Sequence, residues 1–157
     1  MSELEAEQRQ EAVRWLRYAQ EDLLTAQAVE QNPSLARREV CWLAQQAVEK
    51  ALKAALVFCG VDFPRTHDLD ILCRLLPDGW ATRERFPDLT ELTAWAIAAR
   101  YPGEWSEPTV VQAARALELA TKVFHSIRAD LAVHGFPAAR DPADDHDQPA
   151  HEARPRA

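Results

Sequence analysis

At 157 residues the chain has the length of one ordinary domain, and its 47% hydrophobic content is enough for a real core. A formal net charge of −7 excludes broad, non-specific attraction to nucleic acid but leaves room for a local basic patch. The longest apolar run is broken by Lys50 and Lys53, short of the roughly 20 residues a membrane span needs.

Gly is scarce, and Ala, Leu, Glu, Arg and Gln dominate, so helix is favoured throughout. The first predicted helix covers about residues 7–31, with Ala12, Leu16, Ala19, Leu23 and Ala26 in one stripe. Asn32-Pro33-Ser34 ends it, and Ser34 is the expected cap of the next helix. That second helix, 35–59, is the most apolar segment and is expected to stop at a left-handed Gly60. Val40, Leu43, Ala47, Ala51, Ala54 and Phe58 form one stripe; Cys41, Ala44, Val48, Leu52, Ala55 and Cys59 form a second beside it. Two stripes point to a homodimer seam, or else to a central helix covered on several sides by its own chain. Gln46, Glu49, Lys50 and Lys53 share the remaining, polar face.

A short helix follows at 67–76, with Thr66 as its expected cap, and then a Pro77-Asp78-Gly79 turn. A further helix spans 88–100, with Leu89, Leu92, Ala96 and Ala99 inward, and Tyr101-Pro102-Gly103 breaks it. The last helix opens at Pro108 and carries Val110, Ala113, Leu117, Ala120, Phe124, Ile127 and Leu131 to Gly135. Residues 7–135 thus read as one helical domain, and 136–157 as a disordered acidic, Pro-rich tail. Cys41, Cys59 and Cys73 form no CxxC pair; their odd number and the absence of a leader-like segment lead us to expect a reducing, cytoplasmic setting.

Four pieces of this sequence, in order, carry a resemblance. Trp15-Leu16-Arg17-Tyr18-Ala19-Gln20-Glu21-Asp22-Leu23 is similar to the first helix of HEPN domains. Ala44-Gln45-Gln46-Ala47-Val48-Glu49-Lys50-Ala51-Leu52-Lys53 resembles their second-helix signature. Phe63-Pro64-Arg65-Thr66-His67-Asp68-Leu69 resembles the loop after it, and Ala99-Arg100-Tyr101-Pro102-Gly103 the third element. The resemblance implies an all-α, up-and-down bundle of four to five helices, commonly dimeric. It also implies a neighbour: many prokaryotic members pair with a minimal nucleotidyltransferase, as toxin and antitoxin. Many others are metal-independent ribonucleases that use an Arg and a His a few residues apart at the dimer seam.

Such cleavage needs a group that exchanges protons near neutral pH, which His supplies, and a cation for the phosphate, which Arg supplies. Arg100 resembles the family's Arg, but Tyr101-Pro102-Gly103-Glu104-Trp105-Ser106-Glu107 follows it with no His. Arg128 with His134, and Arg140 with His146, match the bare spacing only. The first pair lies at a helix end where six positions turn through about 600°, and the second lies in the expected tail. The reading is therefore a binding and regulatory module paired with a minimal nucleotidyltransferase, taking nucleotide or RNA, with no catalytic residue assigned. The alternative is a metal-independent ribonuclease in which Arg100 works with His67, Glu104 or His125; a purely structural dimerisation bundle is a third reading.

The candidate ligand-binding residues are Lys50, Lys53, Arg65, His67, Arg100 and Tyr101, the cations for phosphate and Tyr101, with Trp105, for stacking on a base. The bland counterpart is a solvated polar stripe, with Arg100 paired to Glu49 or Asp68. His67 beside Asp68 either orients an imidazole for a ligand or serves the start of the short helix. No metal or cofactor is expected: no helix face carries credible ligand spacing, and there is no Gly-rich phosphate loop or Ser nucleophile motif.

Overall fold

The computed structural model describes residues 1–103 and 105–136. Among these there are six helices: α1 (Glu3–Glu30), α2 (Arg37–Phe58), α3 (Leu69–Arg74), α4 (Ala81–Arg85), α5 (Thr90–Ala98) and α6 (Val110–Val133). The described residues are an all-α bundle: α1, α2, α5 and α6 form its body, and α3 and α4 are short connecting helices. No helix among the described residues is long and apolar enough to cross a membrane.

Helix α2 is the axis. It packs against α1, α6, α5 and α3, and twelve of its residues are buried. Val40, Ala47, Ala51 and Ala54 of the first stripe and Cys41, Ala44, Val48, Leu52 and Ala55 of the second are covered within one chain. The two-stripe pattern is thus accounted for by a central helix, and by itself calls for no second copy. Small residues set the packing: Ala12, Ala19 and Ala26 of α1 are fully buried, so the α1 and α2 backbones approach closely. Leu52, Leu56, Phe124 and Ile127 fill the remaining core, at about 1.5–3 kcal/mol for each large side chain buried.

Helix ends differ from expectation where another residue supplies the cap, a neighbour for α1, α3 and α6 and a distant one for α2. Helix α1 begins four residues early because Ser2 and Glu5 form a capping box: the Glu5 amide donates to Ser2 Oγ (3.2 Å) and the Ser2 amide to Glu5 Oε2 (2.7 Å). Helix α2 is not capped by Ser34. Its N-cap is Ala36, which has no capping side chain, and Glu107 accepts the Arg38 amide from across the fold (3.3 Å). Helix α3 is capped by Asp68, whose Oδ1 accepts the Asp70 and Ile71 amides; Thr66 instead accepts the Asp68 amide. Pro108 lies two residues before α6, which opens on a Thr109–Gln112 capping box.

Gly60 takes φ +65° and Gly135 φ +82°. At each, a Schellman pattern closes the helix, with Val61 N–H to the Leu56 carbonyl (2.9 Å) and Phe136 N–H to the Leu131 carbonyl (3.0 Å). Phe136, expected to begin the tail, is buried and meets Phe58 edge to face at 5.2 Å. The rest of the expected tail, with Arg140 and His146, lies outside the described residues.

Candidate functional site

The polar face of α2 does not lie open to solvent. Glu49 is 5% exposed and Gln45 fully buried, an arrangement that is costly unless every charge and amide finds a partner. Glu49 Oε1 accepts from Lys53 Nζ at 2.7 Å, and Oε2 accepts from Gln45 Nε2 at 3.0 Å. The His67 ring reaches back from the loop before α3 and sets Nδ1 3.0 Å from Oε2 and 3.2 Å from Oε1. Gln45 Nε2 also donates to the His67 carbonyl (3.3 Å), and Gln46 Nε2 to Gln45 Oε1 (2.7 Å). Burial pushes the Glu49 carboxyl up, but the hydrogen bonds from Lys53, Gln45 and His67 and the Lys53 charge outweigh it and hold the group below its ordinary value.

The Lys53 ammonium also lies 5.7 Å from the Trp15 ring and 5.9 Å from Phe63. Lys50 is paired with Asp22 of α1. Arg65 is exposed on the loop between Pro64 and Thr66. Four of the candidate residues, Lys50, Lys53, Arg65 and His67, therefore gather along the second half of α2 and the loop beyond it, and the two lysines are each held by a carboxylate.

Arg100 and Tyr101 lie elsewhere. Thr93, in the first turn of α5, accepts the Leu69 amide beside the His67 loop (3.1 Å). From there α5 runs back along α2, and Arg100 emerges near the first turn of α2, roughly 20 Å of helix rise from Lys53. There a cleft of about 520 Å³ is lined by Arg38, Glu39, Trp95, Arg100, Tyr101, Trp105, Glu107 and their neighbours. The Arg100 guanidinium stands 6.0 Å from the Tyr101 ring centre. Arg38 is tied to Glu107 (3.4 Å), and Arg37 Nε donates to the Pro108 carbonyl (2.7 Å). These bonds anchor the α5–α6 connection to the start of α2. Glu104 lies outside the described residues.

A family model for the HEPN domain matches residues 12–130. The chain belongs to the HEPN-domain family. The HEPN chain is also similar in structure to TT1696 from Thermus thermophilus, at 27% identity and a TM-score of 0.64 over 76% of this chain and 98% of that one. No curated protein matches it.

The HEPN signature on α2 has a structural reading that sequence reasoning reached only in part: helical spacing sets Glu49 and Lys53 as an i,i+4 pair, which forms, but it did not show that Gln45 and Glu49 are a buried hub. The available signal was polar residues set inside the most apolar helix. His67 finds Glu49 and not Asp68, which caps α3. Arg100 pairs with neither Glu49 nor Asp68, and makes no ion pair among the described residues. Arg38 and Glu107 gave no sequence signal, because their meeting depends on the loop that joins α5 to α6.

Among the described residues no group of three or more His, Cys, Asp or Glu side chains gathers as a metal site would require. Burial, with the charge of Glu107 beside it, raises the Cys41 thiol to about 12, and burial lifts Cys73 to about 11, so both stay protonated at neutral pH.

Proposed function

We propose that this HEPN domain is a dimeric binding and regulatory module that pairs with a minimal nucleotidyltransferase, in a toxin–antitoxin-like arrangement, and takes nucleotide or RNA at the Arg100–Tyr101 cleft. The observation that carries the ligand reading is the cleft itself. It combines a guanidinium free of ion pairs among the described residues with the rings of Tyr101, Trp105 and Trp95, the chemistry that holds a phosphate and stacks on a base. The nucleotidyltransferase pairing rests on family membership together with the absence of a His after Arg100. An apolar rim supports the dimer: Leu35, Ile97, Tyr101, Trp105, Val110 and Val111 are all exposed around the joined starts of α2 and α6.

Lys50, Lys53, Arg65 and His67 are a second set of ligand candidates, set apart from this cleft. The ribonuclease alternative needs a proton-transfer partner for Arg100. Within one chain, the length of α5 separates His67 from it, and His125 is exposed more than halfway along α6, which favours the binding reading.

The test is affinity capture of the tagged protein from its own cells, followed by intact-mass analysis of the complex. A nucleotidyltransferase in fixed ratio is the expected result; a bare homodimer overturns the pairing, and a monomer overturns the dimer as well. RNA degraded by the purified protein, and spared by Arg100→Ala, would instead establish the ribonuclease.

A further inference from the structure

The pair made by Glu49 and His67 has a chemistry that the cleft does not use. Glu49 already has Lys53 on one oxygen and Gln45 on the other, so its burial does not demand a third partner. The His67 side chain is nonetheless drawn onto the carboxylate while remaining 60% exposed. A carboxylate on Nδ1 fixes the tautomer: the proton sits between Nδ1 and Glu49, and the lone pair is left on Nε2. That nitrogen makes no hydrogen bond among the described residues. His67 lines neither the cleft at Arg100 nor the hollow beside Phe58 and Cys59. It stands on an outward loop, a position suited to entering another protein's active site and not to enclosing a small substrate.

We propose that His67 is a modification site whose Nε2 accepts a phosphoryl group. The donor is an acyl phosphate or a phosphoramidate. The Nε2 lone pair attacks phosphorus and the new N–P bond forms. The donor's O–P or N–P bond breaks, and its electron pair leaves on the carboxylate, or on nitrogen that takes a proton from water and departs as ammonia. The ring becomes cationic, keeping its proton on Nδ1 and donating it in a hydrogen bond to the Glu49 carboxylate, whose negative charge balances it. Glu49 is the positioning residue. Lys53 uses one of its protons on Glu49, and with the exposed Arg65 it is the cation available to the phosphoryl oxygens. The neighbouring Asp68 is turned to the amides of α3.

This inference does not depend on the nucleotidyltransferase partner or on the Arg100 cleft, and its test uses neither. The full chain is treated with potassium phosphoramidate at neutral pH, and the modified residue and ring nitrogen are mapped by tandem mass spectrometry and by nitrogen NMR of the imidazoles. His125, exposed on α6, is the internal control. His67 is expected to react about tenfold faster than His125, at Nε2, because the Glu49 carboxylate on Nδ1 holds Nε2 as the bare nitrogen and steadies the cation that forms. Glu49→Gln is expected to bring His67 down to the rate of His125 while leaving His125 unchanged. Equal rates in the unaltered protein, reaction at Nδ1, or a His67 rate indifferent to Glu49→Gln overturns the proposal. Should that variant not fold, the tautomer of the unaltered protein decides: a protonated Nδ1 with a bare Nε2 is expected, and the opposite tautomer overturns the assignment.

Discussion

His67 and Glu49 are eighteen residues apart in the chain, yet the imidazole Nδ1 lies 3.0 Å from the carboxylate Oε2. This contact ties the loop before α3 to the central helix. It makes a single buried carboxylate the meeting point of α2, that loop and, through Lys53 and the Trp15 ring, α1.

The contact has a pH signature. Glu49 is held below its ordinary value of 4.5 in the folded protein, so within the affected window the unfolded chain binds more protons than the folded one. Stability from this group is therefore fully present above that ordinary value and is lost as the pH falls through the lowered, folded value. Urea midpoints measured from neutral to acid pH should drop more steeply for the unaltered protein than for Glu49→Gln. Parallel curves would remove Glu49 from the acid response.

Removing the carboxylate outright should be costly. Glu49→Ala leaves the Lys53 ammonium, whose side chain is 13% exposed, without its partner. Breaking a buried pair in this way costs about 3–5 kcal/mol. Glu49→Leu combined with Lys53→Leu should recover a large part of that loss, because no charge is stranded. Denaturant unfolding of Glu49→Leu, Lys53→Leu and the double reads the coupling, and a double variant as unstable as the sum of those singles would contradict it.

How much of this was legible in the sequence depended on distance along the chain. The long helices and most of their inward residues followed from periodicity: Ala12, Leu16, Ala19, Leu23 and Ala26 are all buried, as are Ala113, Leu117, Ala120, Phe124, Ile127 and Leu131, while Val110, set in the same stripe, opens α6 exposed. The Gly60 stop followed from local chemistry. Helix α4 was not legible. Its five residues are too few for a periodic stripe, and its first amides are met by Asp130, nearly fifty residues on. The site divided for a similar reason. Helical spacing placed Lys50 and Lys53 on one face and set Glu49 four residues before Lys53, but nothing local shows that Asp22 takes Lys50, that Glu49 is buried, or that α5 carries Arg100 to the opposite end of α2.

Asp130 gives the sharpest test of that long-range capping. Its carboxylate is buried on α6 and accepts the Ala81 amide (3.1 Å), the Thr82 amide (2.9 Å) and the Thr82 hydroxyl (2.7 Å). Asp130→Ala leaves the Ala81 and Thr82 amides unpaired, while the Thr82 hydroxyl keeps Ser126 Oγ at 2.8 Å, at a cost of about 2–3 kcal/mol. Hydrogen exchange should show the Ala81 and Thr82 amides losing protection beyond the global loss. Uniform loss across the chain would mean that α4 is held by packing and not by this cap.

The Arg100 cleft is tested by separating binding from stability. Arg100 and Trp105 are exposed and outside the core, so Arg100→Ala and Trp105→Ala should each shift stability by no more than about 0.5 kcal/mol. Binding of adenosine monophosphate or a short single-stranded RNA, followed by tryptophan fluorescence, should weaken about tenfold in Arg100→Ala and by a comparable factor in Trp105→Ala, the worth of one phosphate contact or one stacked base. Arg65→Ala is the informative companion, because Arg65 is exposed on the loop beyond the far end of α2 and its loss breaks no buried pair. If mononucleotide binding is unchanged in Arg65→Ala, the ligand is confined to the cleft. If RNA binding alone is weakened there, the strand runs from the cleft along α2 to the His67 loop, and the two groups of candidate residues form one extended surface. If neither ligand distinguishes Arg100→Ala from the unaltered protein, the cleft is not the binding site.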